Sequence, residues 1–139
     1  PGDAPGYMHR AVLAQDLSAV TGACLLTRRE LYLSLGGLNE KDLAVAFNDV
    51  DYCLRLREAG WRVIWTPYAK LYHYESVSRG RDETPQKRAR AAREVDYMTK
   101  RWGHVMRHDP FYNPNLSYAR PDFSLNHAPL VKRPWDKIQ

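Results

Sequence analysis

The chain is poor in the features that would settle its class at once. It has two cysteines in 139 residues, Cys24 and Cys53. They lie in separate apolar segments without metal-ligand spacing, which excludes a disulfide framework and a thiolate zinc site and leaves two free thiols. No run approaches the roughly 18–20 consecutive apolar residues of a membrane span. The start, "PGDAPGYMHR", has neither an initiator Met nor an apolar leader core. It reads as a piece of something longer. Walker A, GxSxG, HExxH and GxGxxG patterns are absent, as are an RNP-type run and helix-turn-helix spacing. No internal repeat or low-complexity stretch is visible.

What is present is an ordinary globular composition, 44% hydrophobic and 27% charged, with a net charge of +5. Such a length fits one domain at most. The positive balance points to an anionic partner, whether nucleic acid, lipid headgroups or a phosphorylated substrate, and does not choose among them.

Residues 1–15 are rich in Gly and Pro and read as a loop. "LSAVTGACLLT" predicts a buried strand over Ser18–Leu26, with Gly22 marking a bulge or a close approach. Leu31, Leu35 and Leu38 recur at helical spacing before Gly36-Gly37, which predicts a short helix over Thr27–Leu35. After a loop over Leu38–Phe47, Val50, Cys53, Leu54 and Arg57 follow an i, i+3, i+4, i+7 pattern. Gly60 stops that helix. "WRVIW" predicts a strand over Trp61–Trp65, and "AKLYHYES" a second over Ala69–Ser76. Thr84-Pro85 is a helix start, N-cap then Pro, for a basic helix running to about Trp102 and ending at Gly103. Residues 104–139 are dense in Pro, Asn and aromatics and read as a tail of turns, set apart from a body over 1–103. The order is α/β, with too few strands for a complete doubly wound sheet.

Several side chains could carry chemistry. Asp49 and Asp51 open the second helix. Acids there cap a helix and favour its positive end, which is the commoner use. The sharper use is a general base held at a loop–helix junction. Two residues apart, they point to different sides, so at most one is the base. His73 shares a strand face with Glu75; it is either satisfied by that neighbour or a metal or phosphate contact. Arg79 and Arg81 suit a phosphate, and equally a solvated loop. Lys87, Arg88, Arg90, Arg93, Lys100 and Arg101, against Glu94 and Asp96, form the charged face of the last helix, most simply a solvated one.

Taken together, "AVTGACLLTRRELYLSLGGLNE", "AFNDVDYCLRLREAGWRVIWTP" and "KLYHYESVSRG" resemble the C-terminal half of family 2 glycosyltransferases. "RWG" and "DPFYNPNLS" resemble the tail of the bacterial polysaccharide-assembly members. The likeness covers about residues 7–118. It implies a partial GT-A fold, the C-terminal, acceptor-side half only. It implies inverting transfer of a sugar from a nucleotide-diphosphate donor to a saccharide acceptor, with a divalent metal, Mg or Mn. Asp49 would be the catalytic base and His73 the metal ligand. Gly22, Ala23, Asn48, Asp51, Arg79 and Arg81 would contact donor or acceptor, Arg79 near the diphosphate.

Asn48 stands where the family pattern has an acid, and no Asp-x-Asp motif precedes Asp49. This chain alone is therefore expected to be inactive, to expose the face its other half would cover, and to dimerise in isolation. The implied location is cytoplasmic, with peripheral association at the inner membrane surface, and no nucleic acid is expected. The alternatives are a non-enzymatic basic module for nucleic acid or anionic surfaces, and a hydrolase using Asp49 and Asp51 as a pair. The latter pair is poorly spaced to flank one glycosidic bond.

Overall fold

A computed structural model of the chain describes residues 4–72 and 84–128. The three α-helices among the described residues form where local signals converge. Helix α1, Arg29–Ser34, ends at Gly36-Gly37: the Gly37 N–H donates to Tyr32 O and the Gly36 N–H to Leu33 O, a Schellman turn with Gly36 at φ 78. Helix α2, Asn48–Glu58, ends the same way, with the Trp61 N–H on Leu56 O and the Gly60 N–H on Arg57 O. Helix α3, Pro85–Arg107, starts with the Thr84 hydroxyl accepting the Lys87 N–H at 3.3 Å.

Helix α2 is the central element. Its run Asp51–Leu54 and Leu56 are buried, so it is enclosed on more than the single face that its apolar spacing predicts. On one side Leu54 packs with Leu43 and with Met98 and Trp102 of α3. On the other, Tyr52, Cys53 and Leu56 pack with Val63, and Val20, Leu31 and Tyr32 close over them. Each fully buried large apolar side chain contributes about 1.5–3 kcal/mol relative to exposure, so these two clusters hold α2 between α1 and α3.

Among the described residues the sheet is smaller than the sequence predicts. Strand β1, Gln15–Asp16, pairs antiparallel with β2, Ile64–Trp65, with Gln15 opposite Trp65. The Leu17 N–H extends the contact to Val63 O at 3.0 Å. The predicted strand over Ser18–Leu26 does not form. No partner strand lies beside it among the described residues. Its backbone turns instead through a 3-10 segment, Gly22–Cys24, with the Ala23 N–H on the Thr21 hydroxyl. The predicted strand over Trp61–Trp65 shortens to Ile64–Trp65. Of the strand predicted over Ala69–Ser76, residues 69–72 are irregular and the rest lies outside the described residues.

Helix α3 also departs from expectation. It runs through Gly103 to Arg107, because Trp102 and Val105, on either side of that glycine, both pack against the α2 cluster. The stop signal of one glycine, worth about 1 kcal/mol, loses to that burial. The described part of the segment that follows, residues 108–128, consists mainly of turns and folds back. The Ser18 hydroxyl donates to Asp109 Oδ1 at 2.7 Å, and the Arg57 guanidinium lies 4.3 Å from the Phe111 ring centroid. Leu116 is buried and bridges Leu125. Among the described residues no helix is long and apolar enough to cross a membrane.

Candidate active site

Asp49 and Asp51 have opposite fates. Helix α2 begins without a side-chain cap: Phe47 precedes it in the left-handed region at φ 63, and the Asp51 N–H donates to Phe47 O at 2.8 Å. Asp49 is part-exposed in the first turn, where the helix dipole favours a negative charge. Its Oδ1 accepts the Val50 N–H at 2.9 Å and its Oδ2 accepts the Gly22 N–H at 2.6 Å. A carboxylate has about four acceptor positions. The two backbone bonds therefore orient Asp49 and leave capacity for a substrate hydroxyl.

Gly22 makes that geometry available. A Cβ on it would lie 3.1 Å from Asp49 Cβ and 3.3 Å from Oδ2. The space opened by the missing side chain is taken up by Asp49 itself, where the resemblance implies a sugar at this backbone. Ala23 lies next in the same exposed turn, and Asn48, half-buried, is the first residue of α2.

Asp51 is fully buried. Its Oδ1 accepts the Trp102 indole N–H at 2.8 Å and its Oδ2 accepts Arg55 Nε at 2.8 Å. Arg55 also donates to Leu35 O at 2.6 Å and to Gly37 O at 2.7 Å. Asp51 thus joins α2, α3 and the end of α1. Burial gives it a structural role instead of the substrate contact that the resemblance implies.

A second buried acid escaped the sequence reading. Glu94 on α3 is 1% exposed. Its Oε1 accepts the Val45 N–H at 3.0 Å, and its Oε2 the Ala46 N–H at 3.3 Å. The available signal was spacing: Glu94, Met98 and Trp102 fall at i, i+4 and i+8, one helical stripe. Beneath Asp49, the buried Cys53 thiol points to Val20 O at 3.8 Å. Burial pushes its pKa up, and the nearby Asp49 charge adds to that, against the opposing pull of the Val20 contact.

His73, Arg79 and Arg81 lie outside the described residues. Among the described residues, no group of three or more His, Cys, Asp or Glu could hold a metal ion. A cavity of about 360 Å³, lined by Gly37, Asn39, Lys41, Arg55 and Tyr97 among others, does not include Asp49 or Gly22.

Residues 4–97 match the family described as glycosyltransferase like family 2. The chain belongs to that family. The matched span holds Gly22, Asp49 and Glu94, while Trp102 lies beyond it. The family 2 chain is 55% identical over 126 residues to the uncharacterized protein y4gI of Sinorhizobium fredii, covering 91% of this chain and 14% of that protein. It is 38% identical over 111 residues to the O-antigen biosynthesis protein RfbC of Myxococcus xanthus, covering 80% of this chain and 8% of that one. Over 63 residues it is 38% identical to an N-acetylglucosaminyl-diphospho-decaprenol L-rhamnosyltransferase of Mycobacterium tuberculosis, covering 45% of this chain and 20% of the enzyme. The chain thus spans a fifth or less of the length of each of these relatives. No solved structure matches it.

Proposed function

We propose that the protein carrying this chain transfers a sugar from a nucleotide-diphosphate donor to a saccharide hydroxyl during cell-surface polysaccharide assembly. The chain is the acceptor-side part of a GT-A-type domain, and Asp49 is its base. The observation that carries this reading is the Asp49 carboxylate. It is part-exposed at the head of α2 and oriented by the Gly22 and Val50 N–H groups, in a chain of family 2. The O-antigen and rhamnosyltransferase names of two relatives support the substrate class.

In the proposed step a free lone pair of Asp49 accepts the proton of the acceptor hydroxyl. The acceptor oxygen forms a bond to the anomeric carbon as the bond from that carbon to the diphosphate breaks. The configuration inverts, and the nucleoside diphosphate leaves with the bonding electron pair. Asp49 then returns its proton to solvent. The fixed Gly22 contact lets the carboxylate meet the hydroxyl without first searching rotamers. Donor binding is assigned to residues outside this chain. Arg79 and Arg81 are assigned to the diphosphate and His73 to a divalent cation, Mg or Mn, which when bound would neutralise phosphate charge. A cytoplasmic location, at the membrane surface, follows from such substrates.

The test is sugar transfer by the full protein with Asp49→Asn. The expected result is a kcat lower by about 10²–10⁴, with donor KM within about twofold. A variant that keeps more than about a third of the wild-type kcat removes Asp49 as the base.

A further inference from the structure

A carboxylate is expensive to bury unless its oxygens are bonded, and an apolar residue of the same size is often no worse for stability. Glu94 nevertheless sits at 1% exposure within the apolar stripe of α3. Both of its oxygens reach across to the segment just ahead of α2, at Val45 and Ala46. Arg90 Nε lies 3.7 Å from its Oε1 on the α3 side. The segment it holds is not part of a helix or strand. Phe47 follows in its left-handed conformation, and Phe47 O receives the Asp51 N–H. Asp49 is therefore three residues beyond the nearer Glu94 bond, with one strained residue between that bond and the helix.

The same helix grips α2 at a second point, where the Trp102 indole meets Asp51. Helix α3 thus holds the chain on both sides of Asp49, at residues 45–46 and at residue 51. The second anchor holds the helix body against the core, since it joins buried side chains of both helices. The first fixes the backbone from which the α2 start, and with it the direction of Asp49 toward Gly22, departs. We propose that Glu94 is a positioning residue for Asp49, setting the start of α2 so that the Asp49 carboxylate stays on the Gly22 N–H. This inference rests on the reading of Asp49 as the base.

Glu94→Gln keeps the shape but gives one acceptor where two are used, and turns an NH₂ toward the other backbone N–H. Glu94→Met fills the same space with no acceptor. Two readouts are taken. In the full protein, transfer kinetics are measured well below the unfolding temperature. A misplacement of the base on the scale of 1 Å lowers kcat by about tenfold to a hundredfold. KM for donor and acceptor stays within about twofold, because substrate contacts are untouched. In this chain, the Gly22 amide resonance, which reports the bond to Asp49 Oδ2, moves in both variants, while the amides of the Gln15–Trp65 pair stay in place.

A kcat within about twofold of wild type in both variants overturns the proposal. So does a Gly22 resonance that does not move. Asp49→Asn in the same assay separates the two readings. Wild-type transfer by that variant defeats the base assignment, whereas an inactive Asp49→Asn beside fully active Glu94 variants defeats only the positioning role.

Discussion

The Trp102–Asp51 contact should decide whether α3 is an integral part of this fold. Trp102 is 1% exposed and Asp51 is 0% exposed, and their bond is 2.8 Å. Trp102→Phe keeps an aromatic ring in the core but deletes the indole N–H. Asp51 Oδ1 is then left buried with no donor, while Oδ2 keeps Arg55. Loss of a hydrogen bond to a charged group costs about 1.5–3 kcal/mol, and the smaller ring adds roughly 1 kcal/mol of lost contact. The expected total is about 2.5–4 kcal/mol. At about 3–4 °C per kcal/mol for a chain of this size, the melting temperature should fall by about 8–16 °C. Urea unfolding followed by far-ultraviolet circular dichroism is the suitable assay, because the substitution itself removes a fluorophore. The cycle is completed with Asp51→Asn, which can still accept the indole N–H but carries no charge. In that background Trp102→Phe should cost at least about 1 kcal/mol less. Equal costs in the two backgrounds, to within about 0.5 kcal/mol, would refute a charge-assisted buried bond as the link between the helices.

Further outcomes follow from thiol exposure and from titrating groups. A thiol reagent should label exposed Cys24 at once and buried Cys53 only as the structure opens, so Cys24→Ser should abolish the fast phase; simultaneous labelling of both would contradict the burial of Cys53. Because burial raises the Cys53 pKa in the folded chain, its contribution to stability is intact below the ordinary value of 9.0 and declines as pH rises beyond it. On the acid side, the hydrogen bond from Arg62 holds Asp16 below its ordinary value of 3.8. Its contribution is present above that value and is lost as pH falls through the lower folded value, so Asp16→Asn should reduce stability slightly at neutral pH and not at the bottom of that range. This pair is exposed, so added salt should erase the difference, and persistence of the difference in high salt would argue against it.

Much of the helical framework was legible because it depends on local chemistry. Thr84-Pro85 fixed the start of α3, Gly60 the end of α2, and Gly36-Gly37 the end of α1, each through bonds made within a few residues. The strand over Ser18–Leu26 was misread because β-branched and small apolar residues also suit an extended segment packed on a helix. Only a neighbouring strand would make it a strand. The end of α3 was misplaced because Gly103 was weighed without Trp102 and Val105, whose packing partners are far away in sequence. Asp49 was legible as a candidate from its place before an apolar helix and from the family likeness. Its partner Gly22 was named for the right property, a missing side chain, although the neighbour found there is Asp49. The separate fates of Asp49 and Asp51 could not be read locally, since they depend on residues 22 and 102. Glu94 was taken for surface charge because a single buried acid in a basic helix leaves little trace in composition.

The bonds around the α2 start also constrain the order in which this chain can assemble. Gly22 meets Asp49 across 27 residues, Glu94 reaches Val45 across 49, and Trp102 meets Asp51 across 51. Closing such loops costs chain entropy before any bond compensates for it, which favours a slow, concerted step over piecemeal growth. A chain emerging from the ribosome carries the stop signals of α1 and α2 before α3 exists, but helices this short are marginal without packing. It cannot brace the start of α2 from α3 until residue 94 has been made, nor lock the first turn until residue 102 follows. The braced start of α2, and with it the setting of Asp49, is therefore a late product of synthesis, completed when α3 docks.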